Sequence, residues 1–197
     1  VRYNATGTIS DAVAATSDAE TIARDIQPFA VLGGPNLTEA FADTLAANKI
    51  VCVSCTPGQP NQWYVDRAPY VWDIQKNTDQ NLQMVAEYIG KQVANRKAQY
   101  GGADVNGKPR KLGLVALSAS VQADELRQGF IDDLKKNYGA EIFDLSTYSD
   151  PVALASQAGE VMAKMKASGV TTVIFYGDPL APQALTKSAT EQGFSPE

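Results

Sequence analysis

A four-residue apolar run, Phe29 to Leu32, closes on Gly33-Gly34-Pro35-Asn36 and leads into a helical pattern carrying Leu37, Phe41 and Leu45. An apolar run bounded by glycines reads as a buried strand. Glycine lets the backbone turn and approach a ligand with no Cβ in the way. The N–H groups that open the next helix carry partial positive charge, so this corner suits a carboxylate or similar anion. Alone, the pattern serves equally well as a plain strand-to-helix turn. It recurs, however. Thr172 to Tyr176 is an apolar strand closed by Gly177-Asp178-Pro179 and followed by a helical pattern with Ala184, Leu185 and Ala189. A helical segment precedes each copy, Ala19 to Ile26 and Leu154 to Met165, and such correspondence points to two similar lobes. A cleft where the strand ends of two α/β lobes converge is a common ligand site.

Other chemistries find less support. The 197 residues include no histidine, which removes Ser-His-Asp and Cys-His catalysis and the usual zinc ligands. Cys52 and Cys55 form a CVSC motif, but Cys52 lies inside the strand-like run Ile50 to Val53. Residues three apart in a strand point to opposite faces, too far apart for a disulfide. The expectation is therefore two unpaired, metal-free thiols with Cys52 buried. Asp124, Asp150 and Asp178 have the chemistry of general bases, yet no two carboxylates stand at a suggestive spacing. A net charge of −5 argues against nucleic-acid binding, which needs clustered Lys and Arg. Hydrophobic residues at 44% are an ordinary globular level, which argues against disorder. No apolar run approaches a membrane span.

The elements that would position these groups read as alternating helices and strands. Ser17 or Asp18 caps a helix ahead of the first corner, and Ile50 to Val53 is a strand expected to pair in parallel. Ser54 to Pro60 leaves the C-terminal end of that strand, on the same sheet edge as Gly33 to Asn36. Tyr70 and Trp72 read as packed within a strand-like run, while Trp63 and Tyr64 are left open between packing and lining a cleft. Asn77-Thr78-Asp79 caps a helix with Leu82, Val85, Ala86, Ile89 and Val93 on one face. The lobe division is placed before it, giving residues 1–74 and 75–197. Residues 95–111 read as a polar, mobile insertion. Leu112–Leu117, Ile142–Tyr148 and Thr172–Tyr176 are the strands of the second part. Val1 to Asn4 reads as a strand whose upstream partners are missing, and both ends read as open.

In order and spacing these parts resemble the type I periplasmic binding protein fold, and more closely the extracellular ligand-binding proteins of branched-chain amino acid ABC transporters. The stretches that carry the likeness are AVLGGPN with its helix, IVCVSCTPG, YVWDIQKNTDQNLQMVAEYI, KLGLVAL, and YSDPVALASQAGEVMAKMKASGVTTVIFYGDP, across most of residues 19–193. The resemblance implies an α/β fold of two doubly wound parallel-sheet lobes, here incomplete at both ends. It implies ligand contacts at Gly34, Asn36 and Thr38 in the first loop and at Ser54, Cys55 and Thr56 in the second. From the second lobe it implies contacts at Ser118, Ser120 and Gln122, and at Asp178 and Leu180. Two departures stand out: Gln122-Ala123 replaces the Tyr-Gly pair of many amino-acid binders, and Gly-Pro-Asn replaces a hydroxyl-rich first loop.

The function that follows is a non-enzymatic, extracellular, periplasmic or surface-anchored solute-binding protein. It would hold an amino-acid-like solute by hinge closure and deliver it to an ABC permease, with no cofactor and no metal. The alternative is a ligand-sensing domain of a receptor or of a LacI-type regulator.

Overall fold

The computed structural model describes residues 1–118 and 121–197, the side chains of Gln122 and Pro151 excepted. The chain divides into two compact units, Val1–Leu82 and Gln83–Glu197.

In the first unit, α1 (Ala12–Thr21) starts where Asp11 Oδ1 accepts the N–H groups of Val13 and Ala14 at 3.1 and 3.0 Å. This is the stabilising N-cap arrangement of an acidic side chain on orphan helix donors. The helix runs on as a π-helical turn, Ile22–Ile26, and stops at Gln27, whose φ of 49° is left-handed. Then follow β1 (Ala30–Leu32), α2 (Ala40–Ala47), β2 (Val51–Val53), α3 (Asn61–Asp66) and β3 (Val71–Trp72). The strands are parallel in the order β1-β2-β3, with Val31 beside Cys52 and Cys52 beside Val71. Cys52 joins Ala19, Phe41, Leu45, Trp63 and Val71 in a single core.

Among the described residues no strand pairs with the outer side of β1. Phe29 O accepts from Val51 N and Gly33 N donates to Val53 O, so the odd-numbered residues of this strand bond to β2. Ala30 and Leu32 therefore turn their backbone groups the other way. Phe29 and Leu32 are exposed, and a groove of about 740 Å³ lies along this strand, lined by Tyr3, Ile22, Ile26, Val31 and Phe41 among others.

Of the aromatic residues, Trp63, left open by the sequence, is a packing residue, and Trp72, expected to be packed, is not. Trp63 is buried at 6% exposure, with its indole N–H donated to Glu39 Oε2 at 2.8 Å and the Arg67 guanidinium 4.0 Å from its ring centre. Trp72 is the exposed one, at 57%. It sits on β3, the last strand of this sheet, with its indole N–H donated to Pro69 O at 2.7 Å.

The division between units falls within α4 (Thr78–Tyr88), which continues as a second π-helical turn, Ile89–Ala94. Asn77 and Gln80 close its start reciprocally: Gln80 N donates to Asn77 Oδ1 at 2.8 Å and Asn77 N to Gln80 Oε1 at 3.1 Å. That is a capping box, which satisfies two orphan donors at once.

The second unit contains β4 (Leu112–Leu117), α5 (Val121–Tyr138), β5 (Ile142–Tyr148), α6 (Pro151–Ala167), β6 (Thr172–Tyr176) and α7 (Ala181–Glu191). Its parallel sheet has the order β5-β4-β6. Because β5 and β6 lie on opposite sides of β4, right-handed crossovers put α5 and α6 on opposite faces. Residues 112–116 are accordingly all buried, as an apolar run without alternation requires. Leu154, Met162 and Met165 of α6 pack with Leu185 and Ala189 of α7 and with Phe194. At Gly90 a Cβ would meet Tyr138 Cγ at 2.1 Å, so only glycine lets the π-helical turn approach the end of α5 this closely.

Residues 95–111 are built rather than loose. Lys97 and Pro109 form an antiparallel bridge, Ala98 N donates to Lys108 O at 2.9 Å, and Ala98 and Val105 are buried. The Glu197 carboxylate accepts the N–H groups of Gln99 and Tyr100 and pairs with Arg110. Glu197 also bonds through its backbone to Thr171 and Val173, so the last residues run alongside β6.

Candidate functional site

In an open parallel sheet the polar groups that meet a ligand lie beyond the C-terminal strand ends, where loops and helix starts gather. In the first unit those loops are residues 33–39, after β1, and 54–60, after β2. Gly33 closes β1 with φ 74°, a conformation open to glycine at no steric cost. Gly34 and Asn36 are exposed and Thr38 is half-buried. The helix starts later than its periodicity suggests. α2 opens at Ala40, while Leu37 is exposed and donates its N–H to Ile9 O at 3.0 Å. The positive end of α2 also carries Glu39 at its cap and Asp43 in its first turn. Both carboxylates pair with Arg67, Glu39 at 3.3 Å and Asp43 at 2.5 Å, so the side-chain charges beside this helix start are engaged with one another.

The second loop differs from expectation in its cysteines. Cys52 and Cys55 are joined in a disulfide, with Cα atoms 5.9 Å apart, and neither is free. Extended geometry would have kept them apart, but β2 ends at Val53 and Ser54 adopts φ 54°. One left-handed residue curls the chain back so that Cys55 returns over Cys52. For a non-glycine residue this conformation is sparsely populated and needs its surroundings to hold it. Ser54 N donates to Trp72 O at 2.8 Å, and its hydroxyl donates to Asp73 Oδ1 at 3.0 Å.

Thus Ser54 is half-buried, and Cys55 is fully buried within the disulfide. Thr56, 2% exposed, donates its hydroxyl to Thr38 O at 3.2 Å, which ties the two loops together. Asp73, which the sequence pattern does not single out, organises this edge. Its carboxylate also accepts from Gly58 N and Gln75 N, each at 3.0 Å, and from the Tyr64 hydroxyl at 2.9 Å. Burial opposes ionisation of Asp73, but the N–H groups of Gln75 and Gly58 with the Tyr64 and Ser54 hydroxyls outweigh it and hold the carboxyl below its usual range. Asp73 and Ser54 are 19 residues apart, and no local motif signals their meeting.

In the second unit, Ser118 N donates to Tyr148 O at 2.7 Å. Ser120 and the Gln122 side chain, both expected at the site, lie outside the described residues. Asp178 caps α7: its Oδ1 accepts Leu180 N at 2.7 Å and Ala181 N at 3.0 Å, and its Oδ2 accepts the Tyr148 hydroxyl at 2.5 Å. Leu180 is exposed. Gly177 makes this possible, because a Cβ there would lie 2.1 Å from the Tyr148 hydroxyl.

Burial, then the Asp73 and Asp178 carboxylates respectively, push Tyr64 and Tyr148 up to about 12. Raised folded-state values mean that both hydroxyls favour the fold fully below their unfolded value near 10. That contribution is lost as pH rises from 10 towards 12. Absorbance titration is expected to show tyrosinate still forming near 12, from Tyr64 and Tyr148. Gly177→Ala should return one of them, Tyr148, towards 10; late ionisation of neither in the native chain would contradict this geometry.

No family model matches this sequence, and no curated protein matches it either. Solved structures do resemble it. A leucine-, isoleucine-, valine-, threonine- and alanine-binding protein from Brucella ovis, in its closed conformation, matches with a TM-score of 0.66 at 12% identity, over 99% of this chain and 47% of that one. An ABC transporter substrate-binding protein from Desulfitobacterium hafniense matches with 0.65 at 14%, over 98% and 51%. A solute-binding protein of an ABC transporter from R. palustris, in complex with 4-hydroxybenzoate, matches with 0.63 at 15%, over 93% and 45%. The chain spans about half the length of these structures. The parallel sheets, their helices and this likeness together give the chain the fold of the type I periplasmic binding proteins of ABC transporters.

Proposed function

We propose that the chain belongs to a solute-binding protein of an ABC uptake system and takes a small polar solute at the C-terminal ends of its parallel strands. The observation that carries this reading is the concentration of fixed polar groups there: Ser54, Thr38, Thr56 and Asp73 in the first unit, Ser118, Tyr148 and Asp178 in the second. Asn36 and Gly34 are the exposed members of the first loop. Asp178 has both oxygens engaged by its own chain, with one lone pair on Oδ2 left for a ligand ammonium. Amino acids and hydroxybenzoates, the solutes of the similar structures, are the two classes to try first. The partner implied is a membrane permease, and the location extracellular. No helix among the described residues is long and apolar enough to cross a membrane. The Cys52–Cys55 disulfide accords with an oxidising compartment.

Calorimetry with L-leucine, L-valine, 4-hydroxybenzoate and 3,4-dihydroxybenzoate is the test. Saturable binding of one class, with the solute recovered unchanged, is expected. Chemical conversion of a bound solute would replace this reading with an enzymatic one.

A further inference from the structure

The hydroxyls of the second loop have no proton to offer a ligand. A serine or threonine hydroxyl carries one proton and two acceptor lone pairs. Ser54 donates its proton to Asp73 Oδ1 and Thr56 donates its own to Thr38 O. An ionised carboxylate only accepts, so the direction of the Ser54 bond is fixed by chemistry. Asp73 has about four lone-pair sites, and Ser54, Gln75, Gly58 and Tyr64 fill all four. Two of these donors, Gln75 N–H and Gly58 N–H, are backbone groups with a fixed direction of approach, one on each carboxylate oxygen. The carboxylate is therefore locked in place, and it locks Ser54 with only lone pairs left over.

We propose that Asp73 is a positioning residue that makes Ser54 an obligate acceptor, so that the Ser54–Thr56 loop selects solutes bringing an N–H or O–H donor. This rests on the loop being the solute site. The left-handed backbone at Ser54 adds to the case, since that strained residue is held by both its N–H and its hydroxyl in one orientation. A free serine could turn its proton to a ligand acceptor instead; this one would first have to break a hydrogen bond to a charged group, the stronger kind.

The experiment pairs each solute with a counterpart lacking the donor. L-Leucine is set against 4-methyl-2-oxopentanoate, L-valine against 3-methyl-2-oxobutanoate, and 4-hydroxybenzoate against 4-methoxybenzoate. Binding is measured by calorimetry on the native chain, on Asp73→Asn and on Ser54→Ala. In the native chain the donor-bearing member of a bound pair is expected to bind at least about tenfold tighter, as one lost hydrogen bond in a desolvated site requires. Asp73→Asn places an amide donor among the four bonds, frees the Ser54 proton and should shrink the ratio to about threefold or less. Should that variant not fold, Ser54→Ala tests the same point by weakening only the donor-bearing member. A merely structural role for Asp73 would shift both members together. Equal binding of both members by the native chain, or a ratio unchanged in the variants, overturns the proposal and leaves the solute site standing. Binding of none of the six overturns the solute site and this proposal with it.

Discussion

Phe194→Ala is expected to cost about 3–5 kcal/mol of stability, the range for emptying a buried phenylalanine site. Phe194 is 2% exposed and packs with Leu154, Met162, Met165 and Leu185 beneath α6 and α7. Its backbone N–H closes α7 by donating to Ala189 O at 2.9 Å, after Gly193 turns the chain with φ 58°. The side chain therefore fastens the segment whose last residue bonds to Thr171 and Val173. Urea unfolding followed by far-UV circular dichroism measures the loss. Phe194→Leu should recover most of it, because a large apolar group refills most of the space. A cost below about 1 kcal/mol for the alanine variant would mean that this ring is not part of the core in solution.

Removing the disulfide ranks second. Chain entropy alone assigns a four-residue closure about 2 kcal/mol. Replacing Cys52 and Cys55 by alanine also withdraws two fully buried sulfur atoms from the core under α1 and α2, so the double variant should lose somewhat more than that figure. Unfolded, unreduced protein is expected to titrate with no free thiol, and with two after reduction. Two thiols before reduction would restore the extended geometry that the strand-like run around Cys52 suggests.

These cysteines show where sequence stops informing structure. Leu112–Leu117 is legible to the residue because a buried central parallel strand is a continuous apolar run closed by polar turns, and the bounds of Ile142–Tyr148 and Thr172–Tyr176 follow from the helical patterns on either side of them. The corners at Gly33 and Gly177 are legible for the same reason. Ser54 is not: a single φ of 54° decides whether Cys55 meets Cys52, and nothing in the residue type demands it. The start of α2 falls later than its pattern because Leu37 continues the helical period while its backbone is drawn to Ile9 instead. Trp72 is exposed although its run reads as packed, and Trp63, which the sequence leaves open, is buried, because what packs against each ring is a tertiary property. At the candidate site, the loops are readable from strand ends, whereas Asp73 is not, since its partners come from three separate segments.

The outward-facing backbone of Ala30 and Leu32 carries a colloidal consequence. An edge strand whose outward backbone groups pair with no other strand among the described residues, flanked by an exposed Phe29 and an apolar groove, is a template on which an extended peptide can add as a further strand. Its threshold is set by concentration rather than by temperature, so the chain should scatter light increasingly as it is concentrated while its circular dichroism stays native. A lysine at position 32 would place a charge that no incoming strand can bury, and should raise that threshold without disturbing the Ser54–Asp73 edge.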